Sequence, residues 1–411
     1  MSIDFKMASR NVWRNPRRSL LTMAAIAFAC LLLIFMLSWQ FGSYQTMIDT
    51  AVKIHTGHLQ VQAKGYHQKR AMRQVVSHPR AVGKLVGRAP GVAHYTFRSN
   101  AFSLVSSRQR TYGVMVIGID PRREARVSTL AHIIRRGRYL KEGDDQGALV
   151  GEILARNLRV DLGDSLTILG QGRDGSVAAT VVKVVGIYRS GQDQFDRSSL
   201  QITLANFDQT YTMMGAVHEV VAVCQNLDQV AGAKRFLAAL LPGLKNKKPL
   251  VVLDWAQLMP GLSQGIEMDL VSGLIFYFLL IIVVVFSILN TFLMSILERM
   301  REFGVLMAMG VTPGRLTKLV LMESSLLTLM GVGAGLLIGC GLTLYIQQVG
   351  VPVGSSELMR QYGIPGVMRP QLSVLSACLG PGAVLVVTFL AALYPALKVR
   401  RVKPVEAINY V

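Results

Sequence analysis

The sequence predicts a membrane protein with four transmembrane α-helices and a large α+β periplasmic domain inserted between the first and second. Two observations carry this. Charge disappears from four long apolar stretches, and the mostly polar residues 43–269 separate the first stretch from the other three. Residues 20–42 and 270–297 hold no Asp, Glu, Lys or Arg; residues 319–346 hold one acid, Glu323; residues 372–397 hold none. Each exceeds the roughly 20 residues that carry a helix across a hydrocarbon core of about 30 Å. One such run can be a buried helix of a soluble core, but four with basic ends do not fit that reading.

Orientation follows from Lys and Arg near the spans. Lys6, Arg10, Arg14, Arg17 and Arg18 precede the first, and Arg299, Arg301, Arg315 and Lys318 separate the second and third. Lys398, Arg400, Arg401 and Lys403 follow the fourth, whereas the loop 347–371 carries only Arg360 and Arg369. Both termini are therefore expected in the cytoplasm and the insert outside it. The expected segments are an elbow helix (1–19), the first span (20–42), the inserted domain with helical stalks (43–269) and the second span (270–297). A cytoplasmic loop (298–318), the third span (319–346), a short outer loop (347–371), the fourth span (372–397) and a tail (398–411) complete the chain. The first stretch is too long for a signal-peptide core and no small-x-small site follows it, so it reads as a retained helix.

The formal charge of +20 comes from 44 basic against 24 acidic residues. Much of the excess lies on the cytoplasmic rim, which suits anionic headgroups. No basic stripe interleaved with aromatics appears, so nucleic acid is not an expected partner. Of four cysteines, Cys30, Cys340 and Cys378 fall in the spans, leaving Cys224 alone in the insert; neither an intradomain disulfide nor a zinc site is expected.

The insert begins and ends with helical periodicity. Phe41, Tyr44, Ile48 and Val52 continue the first span until Thr56-Gly57, and Leu258, Leu262, Ile266 and Leu270 lead into the second, with Pro260 as a kink. Residues 58–62, 101–105, 112–119, 165–169, 177–188, 220–224 and 250–253 read as strands. Residues 81–88, 151–159, 204–213 and 230–241 read as helices, and Gly170 to Gly175 as a tight turn. The seven histidines are scattered, and no metalloprotease, nucleophile-elbow or paired-carboxylate pattern occurs. Asp161 and Asp164 fit an ordinary turn, Asp193 and Asp196 a solvated loop.

More specific is the loop Glu298-Arg-Met-Arg-Glu-Phe-Gly-Val-Leu-Met-Ala-Met-Gly310. Phe303, Leu306, Met307 and Met309 would offer an apolar, adaptable surface. Two readings fit it equally: an amphipathic helix lying among headgroups, or a docking helix for a cytoplasmic partner. Phe5, Ala8, Val12 and Trp13, set among Lys6, Arg10, Arg14, Arg17 and Arg18, make an elbow helix broken at Asn15-Pro16. Gly331, Gly335 and Gly339 repeat every four residues, which permits close helix packing within the chain or between chains. Glu323 reads either as a functional intramembrane acid or as an interfacial residue near Lys318.

Together these motifs resemble a known family. The elbow from Ala8 to Thr22, the loop from Glu298 to Gly310 and the tail from Pro395 to Ala407 are similar to the ABC transporter permeases grouped around MacB, FtsX and the lipoprotein-releasing LolC and LolE. So are Thr56-Gly-His-Leu-Gln-Val61, Arg136-Gly-Arg138, Leu149-Val-Gly-Glu152 and Leu162-Gly-Asp164 in the insert. The resemblance spans essentially the whole chain and implies a bacterial inner-membrane permease, paired with a second permease subunit as a homodimer or a LolC/LolE-like heterodimer. It implies two copies of a separate cytoplasmic ABC ATPase that supplies ATP hydrolysis, with no cofactor bound by this chain. The coupling helix would be Glu298, Arg299, Arg301, Glu302, Phe303, Gly304, Leu306, Met307 and Gly310.

No Gly-x-x-x-x-Gly-Lys-Ser/Thr occurs: Gly83-Lys84 is followed by Leu, and Gly310 to Gly314 lacks the Lys. The resemblance implies mechanotransmission and favours release of lipoproteins from the inner membrane, handed to a periplasmic carrier. It leaves open an FtsX-like regulator of a cell-wall enzyme or a MacB-like exporter of another lipid or amphiphile. Where the LolC branch has a proline-containing hook between two strands, this chain has only Gly170 to Ser176.

Overall fold

The computed structural model describes residues 3–352 and 367–400, and the chain divides into two compact units. The first comprises residues 1–44, 266–353 and 367–411, the second residues 45–265 and 354–366. The tail motif from Arg401 to Ala407 and Arg360 of the outer loop lie outside the described residues.

In the first unit an elbow helix, Ile3–Arg14, is followed by long helices starting at Pro16, Pro260, Pro313 and Val374. All four long helices are apolar and long enough to cross a membrane. Three begin with proline, whose missing N–H costs nothing in a first turn and whose fixed φ suits the helix. The first, Pro16–Ala51, has half of its most apolar window buried, whereas the second, Pro260–Glu298, has only 6%. The first is therefore the hub of the unit. The third, Pro313–Val349, lays its glycines against that hub: a Cβ added at Gly331 would come within 2.9 Å of the Ile26 Cβ, and one at Gly335 within 2.6 Å of the Ala27 carbonyl oxygen. At Gly339 it would stand 3.0 Å from Ile34 Cδ1. The fourth, Val374–Arg400, meets the hub through a Ser38–Ser376 hydroxyl hydrogen bond of 3.0 Å.

In the second unit ten strands form one mixed sheet. They are β1 (Leu59–Ala63), β2 (Val92–Ser106), β3 (Thr111–Ile119), β4 (Ile134–Gly137), β5 (Gly147–Gly151), β6 (Ser165–Gln171), β7 (Val177–Tyr188), β8 (Ser199–Thr203), β9 (Glu219–Cys224) and β10 (Leu250–Asp254). Their order is β10-β1-β9-β2-β3-β8-β5-β7-β4, with β6 bridging β2 and β7; β3 with β8 and β5 with β7 are parallel, the other pairs antiparallel. One core gathers Leu59, Val61, Val220 and Ala222 under the helices Pro79–Val86 and Val230–Leu240. A second gathers Val114, Val150, Leu166, Val182 and Ile202 with Leu154 and Leu158 of the helix Glu152–Leu158.

Sequence periodicity misses β4, β5, β8 and the first half of β2. Strands β5 and β8 are five residues long and buried at every position, so they show no alternation to read. Two expectations need correction. Asp196 is not in a solvated loop: it is 1% exposed in the helix Asp193–Ser198 and accepts the Ser190 N–H at 2.9 and 3.1 Å, while burial raises its carboxyl pKa. Pro260 does not kink a helix. It begins one, because Met259, at φ −127° and ψ 68°, has already ended the short helix Trp255–Leu258.

The first stalk ends in a π-helical turn, Val52–Thr56, stopped by Gly57 at φ +72°. Beneath it the sheet is polar and buried. Arg98 on β2, 1% exposed, makes a bidentate pair with Glu124, Nε–Oε2 at 3.0 Å and Nη2–Oε1 at 2.5 Å, and its Nη1 lies 3.3 Å from His55 Nδ1 of the turn. Nearby, His218 accepts the Asn100 N–H at Nδ1 (3.0 Å) and places Nε2 3.1 Å from the Met72 carbonyl oxygen. That pattern needs the neutral Nε2–H tautomer, and burial lowers the His218 pKa to about 4.

Candidate functional site

The loop joining the second and third long helices is a second, short helix. The long helix stops at Arg299 (φ −103°, ψ 8°), and Met300–Ala308 follows. Gly310, at φ +95°, closes it: Gly310 N–H bonds to the Met307 carbonyl (3.0 Å) and Val311 N–H to the Leu306 carbonyl (3.1 Å). This double bond pattern is the Schellman termination, in which a left-handed residue, easiest for glycine, satisfies otherwise orphaned carbonyls. Thr312 then turns extended and Pro313 starts the third helix.

Burial divides the short helix into two faces. Met300, Phe303, Gly304 and Met307, spaced as one helical stripe, are buried and pack with Ile296, Leu316, Val320 and Ala396. Arg301, Glu302, Val305, Ala308 and Met309 are exposed, and Leu306 is half-buried. The expectation that Phe303 and Met307 offer an apolar surface to a partner is therefore corrected: both serve the unit's own core, Phe303 being 1% exposed. Met309, 69% exposed, and Val305, 47% exposed, are the apolar groups left outside.

Charges fix the helix to its neighbours. Arg299 pairs with Glu323 at 2.9 Å and Glu302 at 3.4 Å, and its guanidinium lies 5.4 Å from the Phe303 ring centroid. Glu323 thus has a specific partner across the helix break. From the elbow, Arg14 pairs with Glu302, and Arg18 pairs with Glu298 at 2.6 Å and donates to the Thr291 carbonyl. Partial desolvation pushes the Glu302 carboxyl up, but the hydrogen bonds and charges of Arg14 and Arg299 outweigh it and hold the group below the usual carboxylate range.

Val12 and Ala8 bury the inner side of the elbow, and the Ser19 hydroxyl bonds back to the Val12 carbonyl at 2.5 Å. Arg10, Trp13 and Arg17 remain exposed. Sequence reasoning missed this clamp, since Arg14 and Glu302 lie 288 positions apart. Among the described residues no cluster of three or more His, Cys, Asp or Glu could hold a metal ion.

Two family models match successive parts of the chain. The MacB-like periplasmic core domain model matches residues 19–237, and the FtsX-like permease C-terminal model matches residues 274–404. The lipoprotein-releasing system transmembrane protein LolC of Xylella fastidiosa is 25% identical over 97% of this chain and 95% of its own length. LolE of Haemophilus influenzae is 21% identical over 75% of each chain. Among solved structures, the periplasmic region of MacB from Actinobacillus actinomycetemcomitans aligns with 54% of this chain and 98% of its own, at 16% identity and a TM-score of 0.38. With a periplasmic core match over more than half of its length and the permease match following it in order, the chain belongs to the MacB- and FtsX-like family of ABC transporter permeases.

Proposed function

We propose that this chain is a permease subunit that a separate cytoplasmic ATPase drives to release lipid-modified proteins from the inner membrane toward the outer membrane. The observation that carries the cargo reading is co-linearity with LolC through the membrane helices and the inserted domain alike. No nucleotide-binding motif occurs in the chain, so hydrolysis belongs to the partner. Two ATPase copies serve two permease subunits, a second copy of this chain or a LolC/LolE-like relative. The second long helix, with Phe276, Phe278 and Phe286 exposed, supplies a face for lipid or that subunit. The basic residues around the short helix support a cytoplasmic placement of this loop and both termini.

In this reading the ATPase docks on Arg301, Val305, Ala308 and Met309, while Phe303 and Met307 root the helix in the bundle. Closure of the ATPase pair then moves the short helix, and the long helices pass that motion to the inserted domain without a through-channel. A periplasmic carrier would receive the cargo. The turn Gly172–Ser176, closed by a 2.9 Å Gly172 N–H bond to the Ser176 carbonyl, leaves no room there for a hook, so a carrier would use another surface.

Depletion tests the cargo: lipoproteins should accumulate in the inner membrane. Normal sorting with defective wall cleavage would instead favour an FtsX-like regulator, and normal sorting with lost efflux of another amphiphile a MacB-like exporter. For the docking face, Val305→Asp with Met309→Asp should abolish ATPase co-purification while the permease stays folded in the membrane; undiminished co-purification would refute that face.

A further inference from the structure

The inserted domain contains a cleft of about 580 Å³, within the range of small-molecule sites, to which nothing above assigns a role. One wall is the helix Pro79–Val86, where Arg80 and Lys84 stand one turn apart on the same side; both are exposed and, among the described residues, neither forms an ion pair. Opposite, the Arg123 guanidinium lies 4.9 Å from the Tyr95 ring centroid and 5.3 Å from that of Phe97, and Asp120 steadies it at 3.4 Å. Leu204 adds partly exposed carbon surface, with Met213 and Val217 buried behind the lining. Asp208, the other acid in the lining, accepts the Gly215 N–H at 2.8 Å and so is committed to its own loop.

Two features mark this as more than a surface dent. Ser99 lines the cleft although it is 0% exposed, so it belongs to the inner wall, and its hydroxyl has no hydrogen-bond partner. A buried hydroxyl left unpaired costs about 1–3 kcal/mol, so the polar inner wall is kept at a cost to stability. On either side of Met213, which lines the cleft, Thr212 (φ 53°) and Met214 (φ 52°) both adopt the left-handed conformation. Strain of that kind concentrates at ligand clamps.

We propose that this cleft binds an anionic single-chain amphiphile, its phosphate or carboxylate held by Arg80 and Lys84 beside Arg123 and its chain lying along the partly exposed Tyr95 and Leu204. With Asp120 matched to Arg123 and Asp208 committed to its own loop, the Arg80 and Lys84 charges are left to select a negative head; the apolar wall selects a chain rather than a free anion. The site stands whichever cargo the permease moves.

The test uses the full chain in peptidiscs with octyl phosphate bearing a terminal diazirine, and maps the photolabelled peptides. Labelling should fall on the segments around Tyr95 and Leu204. Octyl phosphate and octanoate should compete at least tenfold better than octyl glucoside or inorganic phosphate, and the stronger of the two identifies the head as phosphate or carboxylate. Arg80→Gln with Lys84→Gln, both at exposed positions, should cut cleft labelling at least tenfold while labelling of the long helices stays constant. Labelling confined to the long helices, equal competition by octyl glucoside, or an unaffected double variant would each overturn the proposal.

Discussion

The two segments that join the inserted domain to the long helices are built differently. The first widens into the π-helical turn and is fastened on several sides: Thr129 N–H bonds to the Lys53 carbonyl at 2.8 Å, Gln60 Nε2 to the Thr56 carbonyl at 2.7 Å, and His55 sits against the Arg98–Glu124 pair. The second leaves β10 through a capping box of Asp254 and Gln257, completes one short helix, and is interrupted at Met259 before Pro260 starts afresh. One entry is welded and the other is jointed. A fastened helix passes rotation to the sheet beneath it, whereas a break in the helical ladder lets the chain bend.

The largest expected effect comes from cutting the weld. Glu124→Ala leaves the Arg98 guanidinium buried and unpaired, which costs about 3–5 kcal/mol; urea unfolding of the purified chain followed by proteolysis of the inserted domain measures it. A loss below about 1 kcal/mol would mean the pair is not a structural anchor.

Acidification should attack the same region almost as strongly. Burial lowers His55 well below its ordinary value, with the Arg98 charge adding to it, and lowers His218 to about 4. Between about pH 6.5 and about 4 the unfolded chain binds a proton at position 218 that the folded chain refuses. Stability is thus complete above that window and lost as pH falls through it, by on the order of 3 kcal/mol for His218. The buried Glu219 carboxyl, raised by burial, has the opposite slope, so the measurement is the difference between wild type and His218→Gln across the window. Parallel pH profiles would refute a neutral His218.

At the joint, Pro260→Ala should change unfolding by only about 0.4–1 kcal/mol yet alter ATPase-driven transport. Unchanged transport would show that the break has no mechanical part. Smallest is the elbow clamp. The Arg14 and Glu302 side chains are 51% and 46% exposed, so a double-mutant cycle should return about 0.2–1 kcal/mol of coupling that fades in high salt.

How much of this the sequence discloses depends on whether the signal is local. Uncharged runs of spanning length admit few other structures, and β3, β6 and β7 announce themselves by length and composition. The short helix after Glu298 is legible as a helix, but its inner face is not: Phe303 and Met309 are equally apolar, and only the packing of Ile296, Leu316 and Val320 decides which one is buried. Arg98 and Glu124 meet across separate elements, as do Arg14 and Glu302, and no periodicity records such pairs. The unpaired Ser99 hydroxyl is silent for the same reason.

The glycines of the third long helix have a geometric property beyond close approach. Gly331 faces Met23 and Ile26, Gly335 faces Ala27 and Cys30, and Gly339 faces Leu31 and Ile34, so the knobs of the hub climb four residues at a time in step with the gaps. Four residues of helix rise about 6 Å. A slide of that length would bring each of two glycines to the place its neighbour had held, returning the surface nearly to itself. The stripe is thus a rack with a repeat of about 6 Å, whose geometry matches itself again only after a step of that length.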